Sequence, residues 1–223
     1  MKRFWRDVTV EGGAIRLDAR PVRTPARAEL TLPNATLAEA VAEEWRAVEG
    51  EVKPAAMPLT GLSNAAIDRA DDTLAESVAA YAESDLLSYR ADDPDLAAEE
   101  AAVWDPLLAW ARGRYDVAFH VTVGIIHVAQ PIATVERLGA AVHAVDPFQL
   151  VGLQQLATIG GSLITALAVF EGAITAEAAF DATHVDELWQ AGKWGEDYLA
   201  TAAREARRRD FLSAASFLRL LQA

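Results

Sequence analysis

The chain has 223 residues, long enough for one large domain or two small ones with a real core. Hydrophobic residues make up 52% and charged residues 24%, and the formal net charge is −13. An acidic surface repels phosphate backbones and anionic lipid, which argues against nucleic-acid and membrane-surface roles. The absence of cysteine excludes disulfides, thiol catalysis and cysteine metal sites, and fits a reducing compartment.

The charge is uneven. Residues 1–30 carry seven basic side chains against four acidic ones, a net of +3, which leaves −16 on the remainder. Charged side chains guard exposed sheet edges, and a basic head on an acidic body also biases docking. MKRFWRDVTV has a basic start but no apolar run before Asp7 and Glu11, so it is not expected to act as a secretory signal. Pro147 to Phe170 contains no charge and is long enough to span a bilayer. Gln149, Gln154, Gln155, Thr158 and Ser162 dilute it, and Gly160-Gly161 interrupts it. It reads as a helix, or a helix pair, buried on most sides in a soluble core.

In chain order, residues 8–10 and 14–18 are strands flanking a Glu11-Gly12-Gly13 hairpin turn. RPVRTP (20–25) suits an edge strand or extended link, and AELTLP (28–33) places Leu30 and Leu32 on one face. Thr36 with Glu39 has the form of a capping box for a helix running to about Val48, with Leu37, Val41, Trp45 and Val48 as its apolar stripe. Residues 59–89 read as two helices or one bent one. The acidic, proline-bearing loop SYRADDPD follows, then a helix over about 96–112 in which Pro106 requires a kink or a helix start. The β-branched segment 117–131 suits a short strand or extended chain. Helical patterns follow at 134–145, 148–170, 175–190 and 195–222. Strands first and helices after predict an α+β fold: a small N-terminal β-rich domain with its first helix (1–50), then a larger, mostly α-helical domain (51–223).

The catalytic signatures checked are missing. There is no phosphate-binding glycine motif, no G-x-S-x-G and no H-E-x-x-H. His184 and Glu187 share a helical face, but a metal site would need a second such pair, so no metal or cofactor is expected. Asp71-Asp72, Asp92-Asp93-Pro94-Asp95 and Glu99-Glu100 read as loop or helix-start acids that favour the helix dipole and solubility. Gly160-Gly161-Ser162 reads as a small-residue notch where another helix approaches. One stretch stands out. DELWQAGKWGED, residues 186–197, holds two tryptophans and four acids. Either Trp189 and Trp194 are core residues with acids that cap and solvate, or they form a protein-binding patch with Asp186, Glu187, Gln190, Glu196 and Asp197. An enzymatic alternative uses Asp/Glu pairs of the helical domain as general acid and base. It requires those acids to converge on a concave pocket.

Seven stretches occur in order: KRFWRDVTV, LDARPVRTPARAELTLP, AVAEEWRA, MPLTGLSNAAID, YAESDLLSYRAD, WDPLLAWA and DELWQAGKWGED. Together they cover nearly the whole chain, and the set resembles the assembly chaperones of the F-type ATP synthase catalytic head, found in mitochondria and alphaproteobacteria. The resemblance implies a non-enzymatic protein with a β-rich N-terminal and a helical C-terminal domain. It implies binding of the free alpha subunit and shielding of its beta-facing surface until the beta subunit takes its place, with no nucleic acid, membrane insertion or small-molecule substrate. Glu187 matches the family's acidic position in the DELWQ stretch; Trp45 and the RPVRTP stretch match too and are expected to be structural. Mitochondrial members carry a presequence before the KRFW stretch, where this chain begins, so a bacterial cytoplasm is the implied compartment, or a mitochondrial matrix if a presequence has been removed.

Overall fold

The glycine pair at 12–13 sets the first turn. In a computed structural model covering residues 1–223, β1 (Val8–Glu11) and β2 (Ala14–Leu17) run antiparallel, with Glu11 opposite Ala14 and Val8 opposite Leu17. Gly12 and Gly13 have φ of 58° and 85°, which a two-residue turn with positive φ at both positions demands. A Cβ on Gly13 would stand 2.6 Å from the carbonyl oxygen of Leu32. β3 (Arg20–Pro21) takes the sheet edge beside β2, where proline is tolerated. The following segment folds back over the sheet: Ile15 N donates to Leu30 O (3.1 Å) and Leu30 N to Val22 O (2.9 Å). Leu30 and Leu32 are both buried.

α1 (Ala35–Arg46) lies across this sheet and buries Leu37, Val41 and Trp45, with Val48 buried just beyond its end. Its cap is Asn34, not Thr36: Asn34 Oδ1 accepts from Leu37 N at 2.8 Å. The amide also offers what a hydroxyl group cannot, two donors directed at the carbonyls of Leu220 (3.0 Å) and Leu221 (3.2 Å) at the far end of the chain. Glu39, freed from capping, meets Arg46 at 2.5 Å. Glu44 reaches the next helix, α2 (Pro58–Arg69), accepting from Leu59 N at 2.7 Å and Thr60 N at 2.8 Å. It supplies the capping oxygen that Met57 lacks.

The rest is helical. α3 (Asp72–Ala79) leads through short 3-10 turns at Ala80–Glu83 and Leu86–Ser88 to β4 (Tyr89–Arg90) and the long α4 (Pro94–Tyr115). Asp71 caps α3 and Asp93 caps α4, as expected of acids at helix starts. Pro106 lies inside α4 on its exposed side. β5 (Thr122–Val123) pairs in parallel with β4 and is the only strand in segment 117–131. α5 (Ile132–His143), α6 (Pro147–Gly160), α7 (Leu163–Phe170), α8 (Ala176–Thr183), α9 (Val185–Trp194) and α10 (Tyr198–Leu221) complete the chain. The uncharged segment is thus a pair of short helices, α6 and α7, parted at Gly161 (φ 65°) and restarted by Ser162, whose Oγ accepts from Thr165 N at 3.0 Å. No helix is long and apolar enough to cross a membrane. The notch forms where Gly160 meets Thr183, whose Cγ2 would lie 3.1 Å from an added Cβ.

Asp85 holds this corner together. It is fully buried, and accepts from Leu87 N and from Ile164 N, both at 3.0 Å. Burial outweighs these bonds and pushes its carboxyl up to about 6. Two apolar clusters result, a smaller one under the sheet and α1 and a larger one among the helices. α10 contributes to both: Phe217 to the first, and Phe211, Ala214 and Leu218 to the second.

α10 crosses α6 at Gly152, where an added Cβ would lie 2.7 Å from Leu218 Cγ. Gly152→Ala should therefore cost about 1–3 kcal/mol by overpacking. Gly113→Ala, with nothing within 4 Å of the new methyl group, should be neutral or stabilising by up to about 1 kcal/mol; paired denaturant titrations check the contrast. Asp85→Asn should cost about 1–3 kcal/mol at pH 4, where Asp85 is protonated in the fold, because the amide NH2 faces an N–H donor from which the carboxyl's second oxygen can still accept. Its deficit should shrink towards pH 7. An acid whose folded pKa is raised stabilises fully below its unfolded value and loses that contribution as pH climbs through about 6. The wild type alone suffers that loss, which melting at both pH values would show.

Candidate functional site

Residues 186–197 form one helix end, a turn and the next helix start. α9 passes through Gly192 without a break and ends at Trp194, where Gly195 turns with φ 91°. Asp197 lies outside α9. It caps α10, accepting from Ala200 N at 2.9 Å, so the helical row of Asp186, Gln190 and Trp194 ends with α9.

The acids point to separate partners. Glu187 turns towards α10, meeting Arg207 at 2.5 Å and Arg204 at 3.5 Å. Arg204 is buried and is shared with Glu196 at 3.3 Å. Glu187 and Glu196 thus clamp one buried guanidinium and fix α9 and its turn on α10, while Arg208 reaches back to Asp181 of α8 at 2.7 Å. Asp186 is exposed and faces α4, beside Glu100. His184 joins none of these acids in a pocket: its ring stacks on Phe180 at 3.9 Å, and its Nδ1 lies 2.9 Å from Phe180 O. Burial lowers its pKa, so it stays neutral. The convergence of Asp186, Glu187, Glu196 and Asp197 that acid–base catalysis requires is not the arrangement found.

The tryptophans are not core residues. Trp189 is half-buried over a shallow groove between α4 and α8–α9, and Lys193 Nζ sits 4.0 Å from its ring centroid. Trp194 meets Trp189 edge to face at 5.8 Å and is 71% exposed. Gln190 is exposed. Beyond the turn, Tyr198 is 82% and Leu199 74% exposed. With Trp194 they put three exposed large apolar side chains within six residues at the α9–α10 turn, an apolar tip whose sequence also holds the exposed Glu196 and Asp197. Sequence reading missed Tyr198 and Leu199, and only Tyr198 carried a signal. It lies 13 residues before the buried Phe211, at about 100° per residue well off the stripe that α10 buries, whereas Leu199 is in phase with the buried Phe217 and is exposed only because nothing packs on the first turn of α10.

Glu100 was also misplaced by sequence reading, as a solvated helix-start acid. It is 2% exposed. It occupies the buried stripe of α4, four residues from both Leu96 and Trp104. Its Oε2 accepts from Ala91 N at 2.8 Å. Burial first, and then the neighbouring Asp186 carboxylate, raise its pKa to about 7.

Because Glu187 is structural glue between α9 and α10, Glu187→Ala should cost about 1–2 kcal/mol, between the values of exposed and buried ion pairs. It should also speed amide exchange across residues 185–194 relative to α4. Unchanged exchange in α9 would show that the clamp does not hold the helix.

Comparison with known proteins supports one family throughout. A family model described as ATP12 chaperone protein matches residues 2–112. The mitochondrial protein atp12 of Schizosaccharomyces pombe is 23% identical over 214 residues, covering 87% of this chain and 74% of its own. The crystal structure of Atp12 from Paracoccus denitrificans superposes with a TM-score of 0.92 at 41% identity, covering 99% of this chain and 98% of that one. The crystal structure of the Atu1473 protein from Agrobacterium tumefaciens gives 0.93 at 38% identity over 99% and 86% of the two chains. With more than 40% identity to a solved Atp12 over almost the full length of both chains, this chain belongs to the ATP12 chaperone family.

Proposed function

We propose that this chain is a non-enzymatic chaperone in assembly of the ATP synthase catalytic head, holding the free alpha subunit and covering its beta-facing surface until the beta subunit replaces it. The observation that carries the reading is the apolar tip at the α9–α10 turn of a family chaperone. Trp194, Tyr198 and Leu199 stand exposed at 71%, 82% and 74% on a segment clamped by the Glu187–Arg204–Glu196 ion pairs. Single exposed apolar side chains are ordinary on a monomer, but several large ones grouped at one turn mark an interaction site. An obligate subunit interface is itself large and apolar, and needs cover before its own partner arrives.

In this reading Trp194 and the edge of Trp189 make contact with Gln190, while Asp186 and the acidic rim favour a basic approach. Glu187, Glu196 and Asp197 position the turn. No cofactor or small-molecule substrate is required. The compartment is the one in which the client is made: a bacterial cytoplasm, as the Paracoccus and Agrobacterium relatives suggest, or a mitochondrial matrix.

The test is co-purification with the host's alpha subunit expressed without beta. The wild type should yield a soluble complex. Trp194→Asp and Leu199→Asp, both at exposed positions that leave folding intact, should weaken it at least about tenfold, roughly 1.4 kcal/mol. If both variants bind as the wild type does, the contact lies elsewhere on the chain. If the wild type fails to keep alpha soluble, the proposed client is wrong.

A further inference from the structure

A second exposed apolar feature lies away from the α9–α10 tip. β5 holds Val123 at 62% exposure, and the loop after it holds Ile125 at 98% and Ile126 at 78%, with Ile132 at 76% nearby. The loop is anchored. β5 is hydrogen-bonded to β4, and Gly124 N donates to Arg90 O at 2.8 Å. Pairing with β4 therefore holds the isoleucines outward, and none of them joins either core.

Beside the loop opens a cavity of about 450 Å³ between β4, α4 and the start of α9. Leu86, Trp104 and Ile125 supply its apolar walls, and Asp92, Glu100 and Asp186 its carboxyls. Its one cation, Arg90, is already engaged. It lies 5.0 Å from the Trp104 ring centroid, donates to Leu87 O (2.7 Å) and Tyr89 O (3.0 Å), and pairs with Asp105 at 2.7 Å. Asp92, Glu100 and Asp186 have no ion-pair partner of their own. The site is thus an anionic cavity with an aliphatic lip.

We infer that this cavity receives an arginine side chain of the client protein, with aliphatic neighbours of that arginine packing on Ile125 and Ile126. The inference rests on the chaperone reading above and adds a second contact to it. A planar guanidinium can bridge two adjacent carboxyls, Glu100 and Asp186, through paired N–H donors. A cation between them also relieves the repulsion from Asp186 that adds to burial in raising Glu100. A second copy of this chain is a poor occupant: it brings the same net charge of −13 to an already anionic cavity. Anionic lipid headgroups are repelled for the same reason.

The test begins without the client. The ¹⁵N-labelled chain is titrated with acetyl-Leu-Arg-Leu-amide and with its citrulline counterpart, which has the same shape without the charge. The arginine peptide should shift the amides of Ala91, Gly124, Ile125 and Asp186, with a Kd at least about tenfold below that of the citrulline peptide. Ile125→Asn, which removes the aliphatic lip without adding charge at a fully exposed position, and Glu100→Gln should each weaken it about tenfold. Equal responses to both peptides, or shifts elsewhere only, overturn the inference. Sedimentation velocity and flotation with phosphatidylcholine–phosphatidylglycerol vesicles address the other occupants. Self-association or vesicle binding that Ile125→Asn abolishes would assign the loop to a second copy or to lipid, and would also overturn it. Hydrogen exchange in the alpha-subunit complex then separates the two readings. Protection at 121–126 supports both. A complex that leaves 121–126 unprotected keeps the chaperone reading and removes this one. If no complex forms, the proposed client falls, the arginine of the inference loses its source, and the inference falls with it in this form.

Discussion

The contact on which the two halves of the molecule depend is the crossing of α10 over α6. At Gly152 the helices approach so closely that Leu218 occupies the space of a Cβ. Such an approach lets one helix face pack against α6, α7 and α8 while its neighbouring residues reach α1 and α2. Phe217 and Leu218, adjacent in sequence, are buried in different cores. The hydrogen bonds from Asn34 to the last carbonyls of α10 tie the same helix to the sheet side. The chain's last helix is therefore the beam that joins the β-rich start to the helical body. A change at 152 acts on both sides because close-packed interiors do not deform gradually.

From that beam the exposed surface is built outward. Arg204 and Arg207 on α10 fix Glu187, which fixes α9, which presents Trp194. The acids of the DELWQ stretch divide their labour: some hold the turn in place, and Asp186 lines an anionic cavity beside α4. Rigid presentation matters for binding. Side chains held in place before contact lose less conformational entropy when a partner arrives. The β5 loop follows the same design, with its isoleucines carried on a strand pair rather than a free coil.

Three buried charged groups, Asp85, Glu100 and Arg204, show where pattern reading fails. Each costs desolvation and is retained only because specific donors or acceptors surround it. Asp85 collects backbone N–H groups from two distant segments. Nothing in its local spacing announces Ile164, which lies 79 residues away. Glu100 was legible in principle, since it sits in step with Leu96, Trp104 and Leu108 on one helical face. Its charge, beside that of Glu99, masks this period in the sequence. The Asn34 cap displaced Thr36 for a similar reason: a nearby capping pattern was outcompeted by a residue that also bonds the chain's far end.

What the sequence determined by itself was local and periodic. Gly12-Gly13 specified the hairpin, the stripe Leu37-Val41-Trp45 specified α1, and the uncharged 147–170 segment specified buried helices with a break at the glycines, because these outcomes depend on residues within a few turns of one another. The ordered motifs also identified the family. Only the tertiary structure decided which acids are structural, which tryptophan faces water, and that Val123, Ile125 and Ile126 stand outside both cores. A side chain's role depends on what folds against it. The partners of Glu187, Glu100 and Asp85 come from segments whose distance in sequence carries no local signal.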